Sequence, residues 1–396
     1  MVTPRHRGVV LVALAILLLV ATPRPAGAIV RRDDRPDSLY RALAHDGAPV
    51  LGNLAGAMGT LVGDRWVLTA GHVVANLSPF SRSFRLGDER YPIAAVYVYP
   101  GFTTKTGAGG ANQVELDVAD LALVRLARPV RGVTPARLHR VADARGRAIV
   151  VAGTGITGTG TSGPNDEDGV LRAATNVVDE VDGRYFTFSF SAPGDSGVTD
   201  LEGIGGPGDS GGPAFVRGPR GLEVLGVSSL NHRGAATGSS RYESHEVYAS
   251  VPASLAWIDA VLAGRGKPEP VRDVVRRVSD GWPHTPAGRL VSHWLDAYDR
   301  QDSLALVAFE NTYRADSLLA KRPAEKRASS WLGYYEKWGR LDAVLWAETP
   351  GEPMRVLVHA AVPDRWMRFD FQLQPASPFK LTTMAINWPE DPPAAN

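Results

Sequence analysis

Gly208-Asp209-Ser210-Gly211-Gly212-Pro213 decides how this chain is read. A serine hydroxyl is a poor nucleophile at neutral pH because its proton is held tightly. It needs an imidazole to take the proton and a carboxylate to fix the imidazole's tautomer and stabilise its charge. Both partners stand upstream, each in its own setting. Leu68-Thr69-Ala70-Gly71-His72 continues the apolar run that starts at Trp66, and Asp120 directly precedes Leu121-Ala122-Leu123-Val124-Arg125-Leu126. The chain order is therefore His72 as general base, Asp120 as orienting carboxylate and Ser210 as nucleophile. Asp117 is the rival carboxylate, and its place three residues earlier puts it in the preceding loop. The glycines beside Ser210 allow a tight turn in which the Gly208 and Ser210 N–H groups converge on a developing oxyanion. A second stretch, Pro193-Gly194-Asp195-Ser196-Gly197, runs on into Val198-Thr199 without a second glycine, a proline or a following strand, and reads as a loop.

These separated segments together resemble the trypsin/chymotrypsin family of serine endopeptidases, whose triad follows this chain order. The resemblance extends from Ile29 to Val261. It implies an all-β unit of two six-stranded antiparallel barrels with the catalytic cleft between them, acting on polypeptide substrates without a cofactor. It further implies that Asp209 accepts a salt bridge from a newly made N-terminal ammonium. Cleavage after Ala28 would leave Ile29-Val30 at that terminus, although Arg31-Arg32 follows where relatives usually carry two glycines. Ser229, or Ser228 if the register shifts by one, is the serine expected to support Asp120. The specificity pocket departs from trypsin. Ile204 stands where the pocket-floor aspartate is expected, and Glu246 falls where the wall usually carries a small residue. With Gly205 and Gly206 leaving room, the expectation is an apolar or aromatic preference, with a Glu246-driven basic preference as its rival.

The periodicity agrees with the β reading. Short apolar runs, Thr60 to Thr69, Ile93 to Tyr99, Leu121 to Leu126, Ala148 to Ala152, Tyr185 to Phe190 and Leu222 to Ser228, are broken by Gly, Pro and Asp. Val247 to Val251 followed by Ala256-Trp257-Ile258 reads as a last strand and closing helix, with Pro252 suited to a first helical turn.

The 396 residues carry a formal net charge of +1, with 44% hydrophobic and 21% charged residues, and no basic stripe that would suit nucleic acid. Arg5, His6 and Arg7, the apolar run Val9 to Ala21 and the small residues Ala26-Gly27-Ala28 read as an export signal over 1–28. That run is 13 residues, short of the roughly 20 a membrane span needs. A secreted or periplasmic protein with no stable membrane insertion is expected. The chain has no cysteine, which excludes disulfides, thiolate metal sites and a cysteine nucleophile. Animal relatives usually carry disulfides, so an exported member without them resembles bacterial ones. His232, His245 and Glu246 lack the spacing of a zinc site, and no metal is expected.

The expected domains are 29–264 for the protease-like unit, a linker over 265–275 and an α+β accessory domain over 276–396. Gly264 to Pro270 resists helix and strand alike. Beyond it, Thr285-Pro286 opens a helix with a Leu290, Val291, Trp294, Leu295, Tyr298 stripe, Asp302 caps a second through Phe309, and Pro323 to Trp338 is a third, stopped at Gly339. Period two follows, with Met367, Phe369, Phe371 and Leu373 on one face and Arg368, Asp370 and Gln372 on the other; Thr382, Met384, Ile386 and Trp388 form a similar face. The element order resembles cystatin-like and nuclear-transport-factor-two-like accessory domains. Seven of the nine Trp residues lie in this part, read either as core or as an aromatic-lined ligand or partner surface. The rival reading from a different class is a catalytically inactive protease-like scaffold whose C-terminal domain captures a ligand or partner.

Overall fold

In the computed structural model the described residues are 29–75, 77–80, 82–103, 105–106, 112–113, 118–232, 240–270, 274–349, 352–362 and 364–390. Asp117 and the expected export signal lie outside them.

The apolar runs pair as antiparallel strands around two cores. Six strands close into a barrel in the order Leu51–Leu54, Ala57–Gly63, Trp66–Thr69, Ala122–Leu126, Glu89–Val98 and Ser83–Leu86, the last pairing back to the first. The run expected from Thr60 to Thr69 is two of these strands, because the chain reverses between Gly63 and Trp66, which are cross-strand partners. Leu61, Val67, Leu68, Leu123 and Val124 are wholly buried inside.

The second barrel does not close as expected. Its strands form an open sheet in the order Arg172–Val177, Ala148–Gly153, Pro213–Gly218, Gly221–His232, His245–Ser250, Tyr185–Ser189 and Glu180–Asp182, with Arg137–Leu138 alongside Gly221–His232. The gap is spanned by a side chain in place of a ladder: Asn176 Nδ2 donates to the carbonyls of Ser189 at 2.9 Å and Gly203 at 3.2 Å. The unit is thus a closed barrel beside a half-barrel. A 3₁₀ turn at Pro252–Ser254 leads into the closing helix Leu255–Leu262.

The chain as a whole is not all-β. Past residue 270, helices Pro286–Asp299, Ser303–Tyr313 and Ala324–Trp338 accompany a five-stranded meander, Val274–Arg277, Leu341–Glu348, Met354–Ala360, Arg365–Leu373 and Leu381–Glu390. The capping expectations hold. Thr285 Oγ1 accepts the Gly288 N–H at 3.1 Å, Asp302 Oδ1 accepts that of Ala305 at 3.0 Å, and Gly339 ends the third helix at φ 66°. Trp294, Trp331 and Trp338 pack with Met367, Phe369 and Phe371 into one core, which is the packing reading of the Trp-rich sequence.

This α+β unit is seated on the closed barrel. Phe80 leaves the barrel's loop and is buried against Ala347 and Leu357 of the meander, with Leu345 and Trp366 around it. The segment between the units is held in place as well, since the Glu269 N–H donates to the Val96 carbonyl at 2.7 Å.

Candidate active site

Asp120 is wholly buried at the barrel's mouth, just ahead of Ala122–Leu126. Its Oδ1 accepts the His72 backbone N–H at 2.9 Å, and its Oδ2 lies 2.6 Å from His72 Nδ1. A carboxylate only accepts, so this contact puts the imidazole proton on Nδ1 and leaves Nε2 basic. The Ser229 hydroxyl donates to the same Oδ2 at 2.7 Å, so Ser229 and not Ser228 supports Asp120. Tyr185 was not legible as a site residue. Its hydroxyl accepts the Asp120 N–H at 2.9 Å and donates to the Val118 carbonyl at 2.6 Å, which fixes the backbone under the carboxylate. Burial pushes the Tyr185 phenol well above its usual range, so it stays protonated.

Ser210 is half-buried on a turn that only glycines permit: Gly208 has φ 96° and Gly211 has φ 79°. The Met58 N–H donates to the Ser210 carbonyl at 2.8 Å, and Gly211 N–H to that of Ser228 at 2.9 Å, tying the turn to both sheets. A Cβ on Gly211 would stand 3.3 Å from the Ala70 N, which sets this turn against the segment leading into His72. Among the described residues, no hydrogen bond joins the Ser210 hydroxyl to His72, and the Gly208 and Ser210 N–H groups donate to no protein acceptor. Catalytic hydrogen bonds of this kind commonly tighten only when substrate arrives. Ser196 is exposed on a separate turn.

Asp209 points away from the nucleophile and into the protein, where it is 2% exposed. It collects three N–H groups: Gly155 at 2.7 Å, Gly206 at 2.8 Å and Ile29 at 3.1 Å. Burial pushes its carboxyl up, and these donors pull the other way. Arg31-Arg32 does not prevent the seating of Ile29. Val30–Arg31 is a strand between Thr157–Thr159 and Gly203–Ile204, while the Arg32 guanidinium reaches Asp34 and the Thr199 carbonyl. Ile29 itself takes φ 58°, a left-handed conformation that costs a β-branched residue about 1–3 kcal/mol. That strain exists only while a peptide carbonyl precedes Ile29.

The two pocket candidates part company. Ile204 is wholly buried in the half-barrel core beside Ile29 and Val30. Glu246, 2% exposed, accepts the Gly205 N–H at 2.7 Å and the Ser228 hydroxyl at 2.9 Å. A Cβ on Gly205 would lie 2.5 Å from Glu246 Oε1, so the room expected beside Gly205 is filled by this carboxyl. Burial, reinforced by the nearby Asp209 charge and opposed by hydrogen bonds from Gly205, Ser228 and Tyr248, pushes Glu246 up to about 7. His245 faces outward to the Ser189 hydroxyl. Among the described residues there is no metal-binding group of three His, Asp or Glu, and no helix is long and apolar enough to cross a membrane.

A closed barrel joined to a half-barrel, with a buried carboxylate, imidazole and serine turn between them, defines a trypsin-like serine protease fold. The trypsin family profile matches residues 46–258, more than half of the chain, and the chain belongs to that family. Among solved structures it is similar to neuropsin, a serine protease expressed in the limbic system of mouse brain. The match is 20% identical, with a TM-score of 0.41, and covers 59% of this chain and 98% of that one.

Proposed function

We propose that this chain is an exported serine endopeptidase that hydrolyses peptide bonds through an acyl-enzyme. Ser210 Oγ attacks the scissile carbonyl carbon while its proton passes to His72 Nε2. Asp120 holds the imidazolium, and the Gly208 and Ser210 N–H groups take the carbonyl oxygen's charge. The proton then goes to the leaving amine, the C–N bond breaks, and water repeats the sequence to free Ser210. Export through residues 1–28 and cleavage after Ala28 would supply an Ile29 ammonium for Asp209, so that maturation also shapes the oxyanion site.

The observation that carries this reading is the buried Asp120 carboxylate, which holds His72 by both backbone and ring and is itself held by Ser229. An inactive scaffold has no need of that arrangement, so we set that rival aside. Protein beginning at Ile29, incubated with an unstructured polypeptide, is expected to cut it at internal bonds, and Ser210→Ala is expected to abolish the cutting. Equal cutting by the Ser210→Ala protein would refute the assignment.

A further inference from the structure

The acyl side of the scissile bond is assigned to the pocket whose wall is expected to carry Glu246, beside Gly205 and Ser228. A separate cleft of about 1030 Å³ is lined by Gly208 and shares none of those three residues. Its volume is ample for a stretch of chain. Gly208, whose N–H is assigned to the oxyanion, is among its lining residues, so on the endopeptidase reading the chain that leaves with the amine is placed in it.

Two things distinguish this cleft. Its far wall comes from the C-terminal unit: Arg368 and Asn387 line it together with the protease strands. Arg368 is only 7% exposed although it lies on the strand face opposite Met367 and Phe369, because that face looks onto the closed barrel. Asp370 fixes both side chains, accepting Arg368 Nε at 2.8 Å and Asn387 Nδ2 at 3.2 Å. The near wall carries two more guanidinium groups, Arg85 and Arg90, which are direct cross-strand partners. Glu167 is the one acidic residue among the described residues of the lining.

We infer that the C-terminal unit completes the leaving-group side of the substrate cleft, and that this side selects a carboxylate within a few residues after the cut bond. The inference rests on the endopeptidase reading. The carboxylate comes from an Asp or Glu side chain or from the substrate's own C-terminus, and both meet the same guanidinium groups.

The test compares three otherwise identical peptides: one with Glu in the second or third position after the cut and an amidated end, one with Gln there and an amidated end, and one with Gln and a free carboxylate. Rates are measured with the full-length mature enzyme, and affinities with its Ser210→Ala form. Both carboxylate peptides are expected to exceed the Gln amide by roughly tenfold or more in kcat/KM and in affinity, given about 1.5–3 kcal/mol for a hydrogen bond to a charged group. An advantage for only one of them identifies the source of the carboxylate and still supports the inference. The Arg85→Gln/Arg90→Gln pair, on the exposed wall, and Arg368→Gln, on the C-terminal wall, should each shrink the ratio, and Arg368→Lys should restore part of it. Equal handling of all three peptides by wild type overturns the inference, as does a ratio that survives Arg368→Gln. Affinity for the Ser210→Ala protein is read without turnover, so failure of the endopeptidase reading and failure of the carboxylate cleft give different results.

Discussion

The backbone nitrogen of Ile29 lies 3.1 Å from Asp209 Oδ2, across 180 residues of sequence, with both residues buried. As an amide it only partly offsets the burial that pushes the Asp209 carboxyl up; as an ammonium it would neutralise it. Protein beginning at Ile29 should therefore be far more active than protein with one extra residue before it. Leaving a buried charge without its partner costs about 3–5 kcal/mol, so a loss of at least a hundredfold in kcat/KM is expected for the extended form. Equal rates would remove Ile29 from the account.

Asp120→Asn should lower kcat by roughly 10⁴-fold, because an amide beside Nδ1 lets the imidazole take the wrong tautomer. Asp117→Asn is expected to change little. Measuring both separates the two carboxylates, and the reverse pattern would mean that the wrong one was chosen.

If Glu246 walls the acyl-side pocket as proposed, it gives that pocket a pH dependence. Its carboxyl is held up at about 7, so the pocket is neutral below that pH and anionic above it. The kcat/KM ratio for Arg or Lys over Leu or Phe on the acyl side should climb as pH passes 7, and Glu246→Gln should flatten it. Using a ratio cancels any pH dependence that both substrates share. Stability has the opposite sign. The folded protein keeps this proton after the unfolded chain has lost its own near the ordinary glutamate value of 4.5, so stability falls as pH rises from there to about 7. Denaturation of Glu246→Gln should lack that component.

Within the α+β unit, Glu310 is wholly buried and pairs with Arg314 at 2.7 Å while accepting Trp331 Nε1 at 3.0 Å. Glu310→Ala leaves a buried guanidinium without its partner, and about 3–5 kcal/mol of that unit's stability should go. Denaturant titration followed by tryptophan fluorescence would report it. A change under 1 kcal/mol would show that water or another group takes over.

The legible parts of the fold were those where local chemistry dictates conformation. The glycines around Ser210 adopt the positive φ that the motif implies, and Thr285, Asp302 and Gly339 bound helices as their side chains or lack of one require. Four features depended on tertiary contacts that no local pattern carries. Alternation put Arg368 on the face opposite Phe369, but it contains no information about the barrel docked there through Phe80. The gap in the half-barrel is bridged by the Asn176 side chain, and one amide in a β-like run gives no sign of this. Glycine at 205 suggested space, whereas the Glu246 carboxyl from a distant strand occupies it. Arg31-Arg32 departs from the two glycines expected behind a buried terminus, and the partners that accommodate Arg32, the Asp34 carboxylate and the Thr199 carbonyl, are invisible in sequence.

The central claim is that Ser210, and no other serine, is the activated nucleophile. Mature protein treated with a fluorophosphonate and mapped by peptide mass spectrometry tests it most directly. A single adduct on Ser210, lost in Ser210→Ala and kept in Ser196→Ala, is the predicted result. An adduct elsewhere, or labelling that persists in Ser210→Ala, would contradict it.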